Sequence, residues 1–289
     1  MDAFLHQLFS GLATGGIYAS VALALVMIYQ ATHHINFAQG EMAMFSTYLA
    51  WTLIAAGVPY WIAFVLTVGI SFVLGVVIER VLIRPMAHAP VLSVVIVFIG
   101  LLVILNSLAG WIFSYTIKSF PSPFDGVIPG NAFMSPHELG IIGVTLVVLA
   151  LLYGFFRFTS LGLAMRAAAL NPVSSRLAGI RVGRMLGLGW GLAAAVGAVA
   201  GMMVAPVIYL DPNMMAGVLL YAFAGALLGG IDNPIGAVIG GFVVGVVENL
   251  VGTYLIGTEL KLTVALVLII GVLVFRPAGL MGKVVVIRV

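Results

Sequence analysis

Cysteine is absent from this chain, which excludes disulfides, thiolate metal sites and cysteine nucleophiles. Charge is almost as scarce, with Asp, Glu, Lys and Arg making up 7% of the 289 residues. A soluble domain carries about a quarter charged residues to cover its surface. The five histidines show neither HxxxH nor HExxH spacing, and the adjacent His33 and His34 would not share a helix face. No Gly-x-Ser-x-Gly elbow occurs, and no helical pair of acids marks a metal-dependent site. No P-loop GxxxxGK[ST] occurs either, since Gly282-Lys283 is followed by Val284. We therefore expect no catalytic residue, no metal and no cofactor held by the chain itself. Its basic residues are not interleaved with stacking aromatics, so nucleic acid is not an expected partner.

What the sequence has is apolar length. Hydrophobic residues make up 63% of it and glycine alone accounts for 35 positions. About 20 apolar residues cross a bilayer as a helix, and such stretches recur at about 10–30, 36–56, 60–83, 91–112, 138–156, 185–209, 214–231, 234–256 and 260–276. With 214–231 and 234–256 as a closely linked pair, they read as about eight spans of an all-α polytopic membrane protein. The first stretch has no basic n-region and is too long for a signal peptide, so it reads as an uncleaved span.

Ten of the twelve basic residues fall on one side of this arrangement: Arg80, Arg84, Arg157, Arg166, Arg176, Arg181, Arg184, Arg276, Lys283 and Arg288. Lys118 and Lys261 fall on the other. The positive-inside rule makes the first side cytoplasmic, with the N-terminus outside and the C-terminus inside. Tyr60, Trp61, Trp111 and Tyr115 lie near the expected outer boundary, where amphipathic rings prefer to sit.

Two connections are long. The outer one, 113–137, carries Pro121, Pro123, Pro129 and Pro136 with Gly126 and Gly130, a composition that favours an extended segment. It reads as a connector or as a docking surface for an external partner. The inner one, 157–184, is RFTSLGLAMRAAALNPVSSRLAGIRVGR. Its Ala-rich first half favours a helix. Asn171 followed by Pro172 is an N-cap followed by proline at the first helical position. Ser174, Ser175 and Arg176 fall in the helix that follows, and Gly179 supplies a stop. Two short helices with an elbow at Asn171-Pro172 are expected, and they read as a docking element.

Within the spans, small residues recur at four-residue spacing: Gly11/Gly15, Gly187/Gly191, Gly197/Gly201, Gly225/Gly229, Gly236/Gly240 and Gly241/Gly245. Such pairs let helix backbones approach closely in lipid. Glu41 and Glu248 are acids inside spans, where an acidic residue costs roughly 2.5–3.5 kcal/mol. Neither has an obvious basic partner in the sequence, and Asn106 is a weaker polar candidate. In HHINFAQGEMAMF (33–45), Asn36 and Gln39 have the spacing of a capping box with Asn in place of Ser or Thr. Glu41 lies in the first turns, where the helix dipole favours an acid. Polar groups converging on such a helix start also fit a gate or substrate contact, and Asn36, Gln39, Glu41 and Glu248 are the candidate path residues.

The chain resembles the permeases of branched-chain amino-acid ABC importers almost end to end. The resemblance rests on GLATGGIYASVALALVMIY (11–29), INFAQGEMAMF (35–45), ERVLIRPM (79–86), RAAALNPVSSRLAGI (166–180), GALLGGIDNPIGAVIGG (225–241) and FRPAGLMG (275–282). It implies one transmembrane permease domain over 1–289, in a bacterial inner membrane. A second related permease, two cytoplasmic ATP-binding subunits and a periplasmic substrate-binding protein are the implied partners, with lipid around the spans. ATP and Mg would be bound by the ATPase subunits. Residues 113–137 would then be the periplasmic loop and 157–184 the cytoplasmic coupling loop. Arg166, Ala168, Asn171, Pro172, Ser174, Arg176 and Gly179 are the candidate coupling residues, although against the general ABC-importer coupling signature the glutamate before the paired alanines is absent, with Arg166 standing there, and the glycine falls later, at Gly179. The substrates implied are branched-chain or other hydrophobic amino acids, moved by alternating access. Urea, amides and aromatic acids are alternatives in the same importer class. A proton-coupled carrier working through Glu41 or Glu248, or a passive channel, would be a different class.

Overall fold

The computed structural model describes residues 2–87, 89–124, 126 and 134–282. Pro129 and Gly130 of the outer loop, and Lys283 and Arg288 of the basic set, lie outside the described residues. In an apolar run every backbone N–H and C=O must be satisfied locally, and the helix does this within one segment. The apolar stretches accordingly form helices α1 (Asp2–Thr32), α2 (Gln39–Ala55), α3 (Tyr60–Ile78), α4 (Val91–Phe113) and α5 (Pro136–Phe158). After two short helices, α6 (Ser160–Leu170) and α7 (Pro172–Leu177), come α8 (Val182–Ile208), α9 (Met214–Gly229), α10 (Pro234–Val251) and α11 (Lys261–Phe275). Helix α3 continues through a π-helical turn and a 3-10 turn to Met86, and α10 through a π-helical turn to Ile256.

Helices α1, α3, α4, α5, α8 and α10, with those extensions, are each long and apolar enough to cross a membrane. Helices α9 and α11 are shorter apolar ones, and α2 has 17 residues. Among the described residues nine helices therefore occupy the stretches read as about eight spans. Eight crossings, an even number, would return both termini to one side, so the expectations of eight spans and of opposed termini do not go together. Local signals set the boundaries. Pro59 and Pro90 stand immediately before α3 and α4, and α1 stops where His33 turns to a φ of +55°.

The helices group into two compact units. The first comprises Met1–Val26, Phe124–Gly143 and Gly217–Val289, and glycine governs its packing. A Cβ on Gly11 would lie 2.9 Å from the Val246 Cα, and one on Gly15 would lie 3.0 Å from the Phe242 Cα. Gly245 in turn faces the Gly15 backbone. Helices α1 and α10 thus cross backbone to backbone, as paired small residues permit. Helices α9 and α10 form a hairpin in which Gly225 opposes Gly241, whose Cα a Cβ would approach to 2.7 Å. The turn is closed by Asn233, whose Oδ1 accepts from the Ile235 and Gly236 amides at 3.1 Å each. The 275–282 segment folds onto this turn. Leu280 N donates to Leu228 O at 2.7 Å, Met281 N to Gly229 O at 3.0 Å, and Asn233 Nδ2 to Met281 O at 3.0 Å. Gly230 (φ +110°) and Gly279 (φ +74°) supply the left-handed backbone that this close fit needs.

The second unit comprises Met27–Pro123 and Val144–Ala216, and α8 is its centre, with α2, α3 and α6 packed on it. Trp190 is fully buried and stacks on Phe98 of α4, with ring centroids 5.9 Å apart. A Cβ on Gly75 would collide with the Trp190 carbonyl, and one on Gly191 would lie 2.8 Å from the Phe72 ring. The outer faces of α3, α4 and α5 carry exposed Val65, Leu92 and Leu151, apolar area suited to lipid. The outer loop is extended where it is described, and Lys118 and Leu210 exchange both backbone hydrogen bonds at 2.9 Å.

Gly225→Leu is expected to overpack the α9–α10 hairpin by about 1–3 kcal/mol and to lower the unfolding midpoint in detergent. Gly217→Leu, where a side chain meets open space, is expected to leave that midpoint unchanged.

Candidate functional site

The polar stretch 33–45 does not cap α2 in the way its spacing implies. Helix α2 begins at Gln39 with Ala38 in the cap position and no side-chain cap. The Asn36 Oδ1 accepts from Ala38 N at 3.0 Å, a local turn ahead of the helix. Gln39 stays bonded to Asn36, its backbone N donating to Asn36 O at 3.2 Å and its Oε1 accepting from Asn36 Nδ2 at 3.4 Å, while its Nε2 donates to the Ala193 carbonyl of α8 at 3.0 Å. The reason is burial. Asn36 and Gln39 are both fully buried, so a side-chain amide has to find protein partners, and Gly197 leaves space for this one. A Cβ on Gly197 would sit 2.6 Å from Gln39 Nε2. One turn further along, Gly201 makes room for Thr47 and for the Ala43 carbonyl.

This contact fixes the level of the site. Ala193 lies eleven residues beyond Val182, where α8 starts, about 16 Å along its axis at 1.5 Å per residue. Helix α2 therefore starts beside the middle of α8. Glu41, in its first turn, is 7% exposed. It meets Asn106, whose Nδ2 lies 3.4 Å from Glu41 Oε2, 2.8 Å from the Pro212 carbonyl and 3.2 Å from Asn213 Oδ1. The Asn213 amide donates to Asp211 Oδ1 at 2.7 Å. Asn106, the weaker candidate of the sequence, is thus the hub joining α2, α4 and the 209–213 loop. Asp211 and Asn213 carried no sequence signal beyond being polar residues next to a proline.

Glu248 does not join this group and lies in the other unit. It also has a basic partner that the sequence did not reveal, with Lys261 Nζ 3.6 Å from its Oε1. The two are thirteen residues apart, across the turns that join α10 to α11, and no helical spacing announces such a pair. The Tyr18 hydroxyl donates to Glu248 Oε2 at 3.2 Å and stacks its ring on Tyr221. Lys261 also donates to Asn249 Oδ1 at 2.9 Å, and Asn249 Nδ2 donates to the Gln7 carbonyl at 2.7 Å. Glu248 is held in a satisfied network, the arrangement that a buried charge requires. A third acid, Glu79, is 1% exposed and forms a two-bond pair with Arg84 at 3.1 and 2.6 Å. Arg84 also donates to the Gly183 carbonyl, tying the end of α3 to the start of α8.

The inner loop has its two helices. Thr159 caps α6, accepting from Gly162 N at 3.0 Å. Asn171 caps α7, accepting from Ser174 N at 3.0 Å, with Pro172 in the first turn. Gly179 (φ +80°) follows the end of α7. Arg176 and Ser174 are exposed, whereas Ala168 is buried and packs α6 inward. Arg166 lines a pocket with Gln30, Phe156 and Met185. Sequence reasoning passed over Leu170 and Leu177, which are 83% and 87% exposed on the two sides of the elbow.

Residues 7–273 match the family model of the branched-chain amino acid transport system / permease component. The chain belongs to this family. The permease is 34% identical to the high-affinity branched-chain amino acid transport system permease protein LivH of Escherichia coli K12, over 97% of its own length and 96% of the relative's. It is 32% identical to the corresponding protein BraD of Pseudomonas aeruginosa, with the same coverage. The probable LivH of Methanocaldococcus jannaschii is 31% identical over 91% of the permease and 87% of that relative. Among solved structures, PsaBC from Streptococcus pneumoniae in complex with Fab has a similar fold, with a TM-score of 0.52 over 94% of the permease and 93% of that chain. At 13% identity this likeness concerns the fold alone.

Lys261→Met strands the Glu248 carboxylate and is expected to destabilise the permease by about 3 kcal/mol. Glu248→Gln combined with Lys261→Met removes both charges and is expected to recover most of that loss. Unfolding of the detergent-solubilised variants measures both.

Proposed function

We propose that the permease is the membrane-spanning subunit of an ATP-driven importer that carries branched-chain or other hydrophobic amino acids by alternating access. It would sit in the bacterial inner membrane with its N-terminus periplasmic and its C-terminus cytoplasmic. The relatives named above are branched-chain amino acid permeases matched over nearly their whole length, which supports the substrate class. A second permease and a periplasmic binding protein would complete the path, and two cytoplasmic subunits would bind ATP and Mg.

The observation that carries the ATP-driven reading is the α6–α7 hairpin. Two short helices, each with its own side-chain cap, meet at a proline elbow and expose Leu163, Leu170, Val173 and Leu177. Four exposed branched side chains on capped helices serve a partner rather than a connector. An ATPase cleft closing on this hairpin would push α6 against α8, on which α6 packs. Helix α8 holds the start of α2 through Gln39, so the push would reach Glu41 and Asn106. Differential contact with the two ATPase states would drive the change. Asn36 and Gln39 would act by positioning that helix start, with Glu41 on the path. Glu248, paired with Lys261, is poorly suited to carry protons alone.

Changing both Leu170 and Leu177 to Asp is expected to abolish ATP-dependent leucine uptake by the reconstituted importer and to prevent co-purification of the ATPases. The melting temperature of the permease is expected to stay unchanged. Uptake at the unmodified rate would overturn the coupling assignment. Uptake by the permease alone under a proton gradient would overturn the importer reading, and ATP-driven uptake of urea or an aromatic acid in place of leucine would overturn the substrate class.

A further inference from the structure

The contacts around Asn106 are unbalanced. One amide nitrogen with two hydrogens is approached by three acceptors, Glu41 Oε2, the Pro212 carbonyl and Asn213 Oδ1. Glu41 and Asp211, whose Oδ1 accepts from the Asn213 amide at 2.7 Å, add two carboxylates. Among the described residues no cation pairs with either acid, although Glu41 is almost completely buried. A buried acid without a cation is costly. The place therefore has more acceptors than donors and more negative charge than the protein compensates.

A second feature points the same way. Tyr48 is fully buried, yet its hydroxyl has no hydrogen-bond partner. Tyr48 and Phe113 stand seven residues beyond Glu41 and Asn106 on the same two helices, and their rings stack with centroids 4.5 Å apart. The acceptor-rich layer is thus followed by an aromatic layer about 10 Å further along. Asn213 is exposed and Asp211 half-buried, so the polar layer is reached from the 209–213 loop.

We infer that Glu41, Asn106, Asp211 and Asn213 form a station for the primary ammonium group of the transported amino acid, with the Tyr48–Phe113 pair facing its apolar side chain. This rests on the amino-acid reading proposed above. A primary ammonium brings three N–H donors and one positive charge, which matches the surplus acceptors and offsets one of the two carboxylates. The other subunits deliver and drive the substrate, while this layer recognises the group that all α-amino acids share. Selection of the side chain would then fall to the aromatic layer.

The test uses the complete importer in proteoliposomes with saturating leucine-loaded binding protein. Glu41→Gln, Asp211→Asn and Asn106→Leu are each expected to slow leucine uptake by about tenfold to a hundredfold, the range for a charge-assisted hydrogen bond lost at one partner. Tyr48→Phe keeps the ring stack and is expected to alter the selectivity between leucine and phenylalanine. In addition, the importer trapped with vanadate and 15N-leucine is expected to show dipolar coupling between the leucine nitrogen and the 13C-labelled Glu41 carboxyl carbon. Wild-type uptake rates in Glu41→Gln and Asp211→Asn, or no such coupling in the trapped complex, would overturn the station. Uptake that requires sodium would also overturn it, by giving the acids to a metal cation. If the unmodified importer does not take up leucine at all, it is the proposed function that fails, and this outcome is separate from the others.

Discussion

Gln39 donates to the Ala193 carbonyl at 3.0 Å inside the apolar interior, and much of the second unit depends on that bond. A helix that starts beside the middle of another has free backbone donors where water is scarce. The chain supplies Asn36 to hold the preceding turn and Gln39 to hold the helix to its neighbour. Gly197 and Gly201 then have to be glycine, because a Cβ at either place would strike Gln39 or Thr47 and Ala43. The small-residue spacing on α8 is the negative image of the polar start of α2.

The same bond explains why polar residues gather at one level. Once α2 starts there, Glu41 falls opposite Asn106 of α4, and Asn106 binds the loop that follows α8. Three segments distant in sequence meet on a single amide. Their encounter leaves an excess of acceptors that the chain alone does not balance, the condition in which a binding site differs from a structural network. The Glu248–Lys261–Asn249–Gln7 network in the first unit is the contrast, since its charges and donors are matched and it reads as architecture. Two intramembrane glutamates with the same cost in the sequence thus part ways in the fold.

At the α6–α7 hairpin the physical problem is different. Water satisfies the backbone there, so short helices need caps to persist, and Thr159 and Asn171 provide them. The Glu79–Arg84 pair, with its bond to the Gly183 carbonyl, holds α3 to the start of α8 just beyond the hairpin. In the proposed coupling, a push on α6 would meet a helix already fastened to a neighbour, and the motion would be carried along α8 instead of being lost in a loop.

Much of this was legible in the sequence, and for a physical reason. Lipid solubility demands long apolar runs, so the helices follow from composition, and the Asn171-Pro172 and Gly179 signals place the inner elbow because capping is local chemistry. The glycine spacings likewise announced close packing. What the sequence left open was each partner across the fold. It paired Asn36 with Gln39 as a local motif, and those side chains do meet at 3.4 Å, but not as a helix cap, and it gave no sign that Gln39 also reaches Ala193, 154 residues away. It left Glu248 without a cation because Lys261 comes near only after the α10–α11 turn has formed. It ranked Asn106 low because one amide in a span is unremarkable until Glu41, Pro212 and Asn213 surround it. Element type depends on near neighbours along the chain, and the sequence determined it. Which polar groups answer one another depends on approach in three dimensions, and only the tertiary structure decided that.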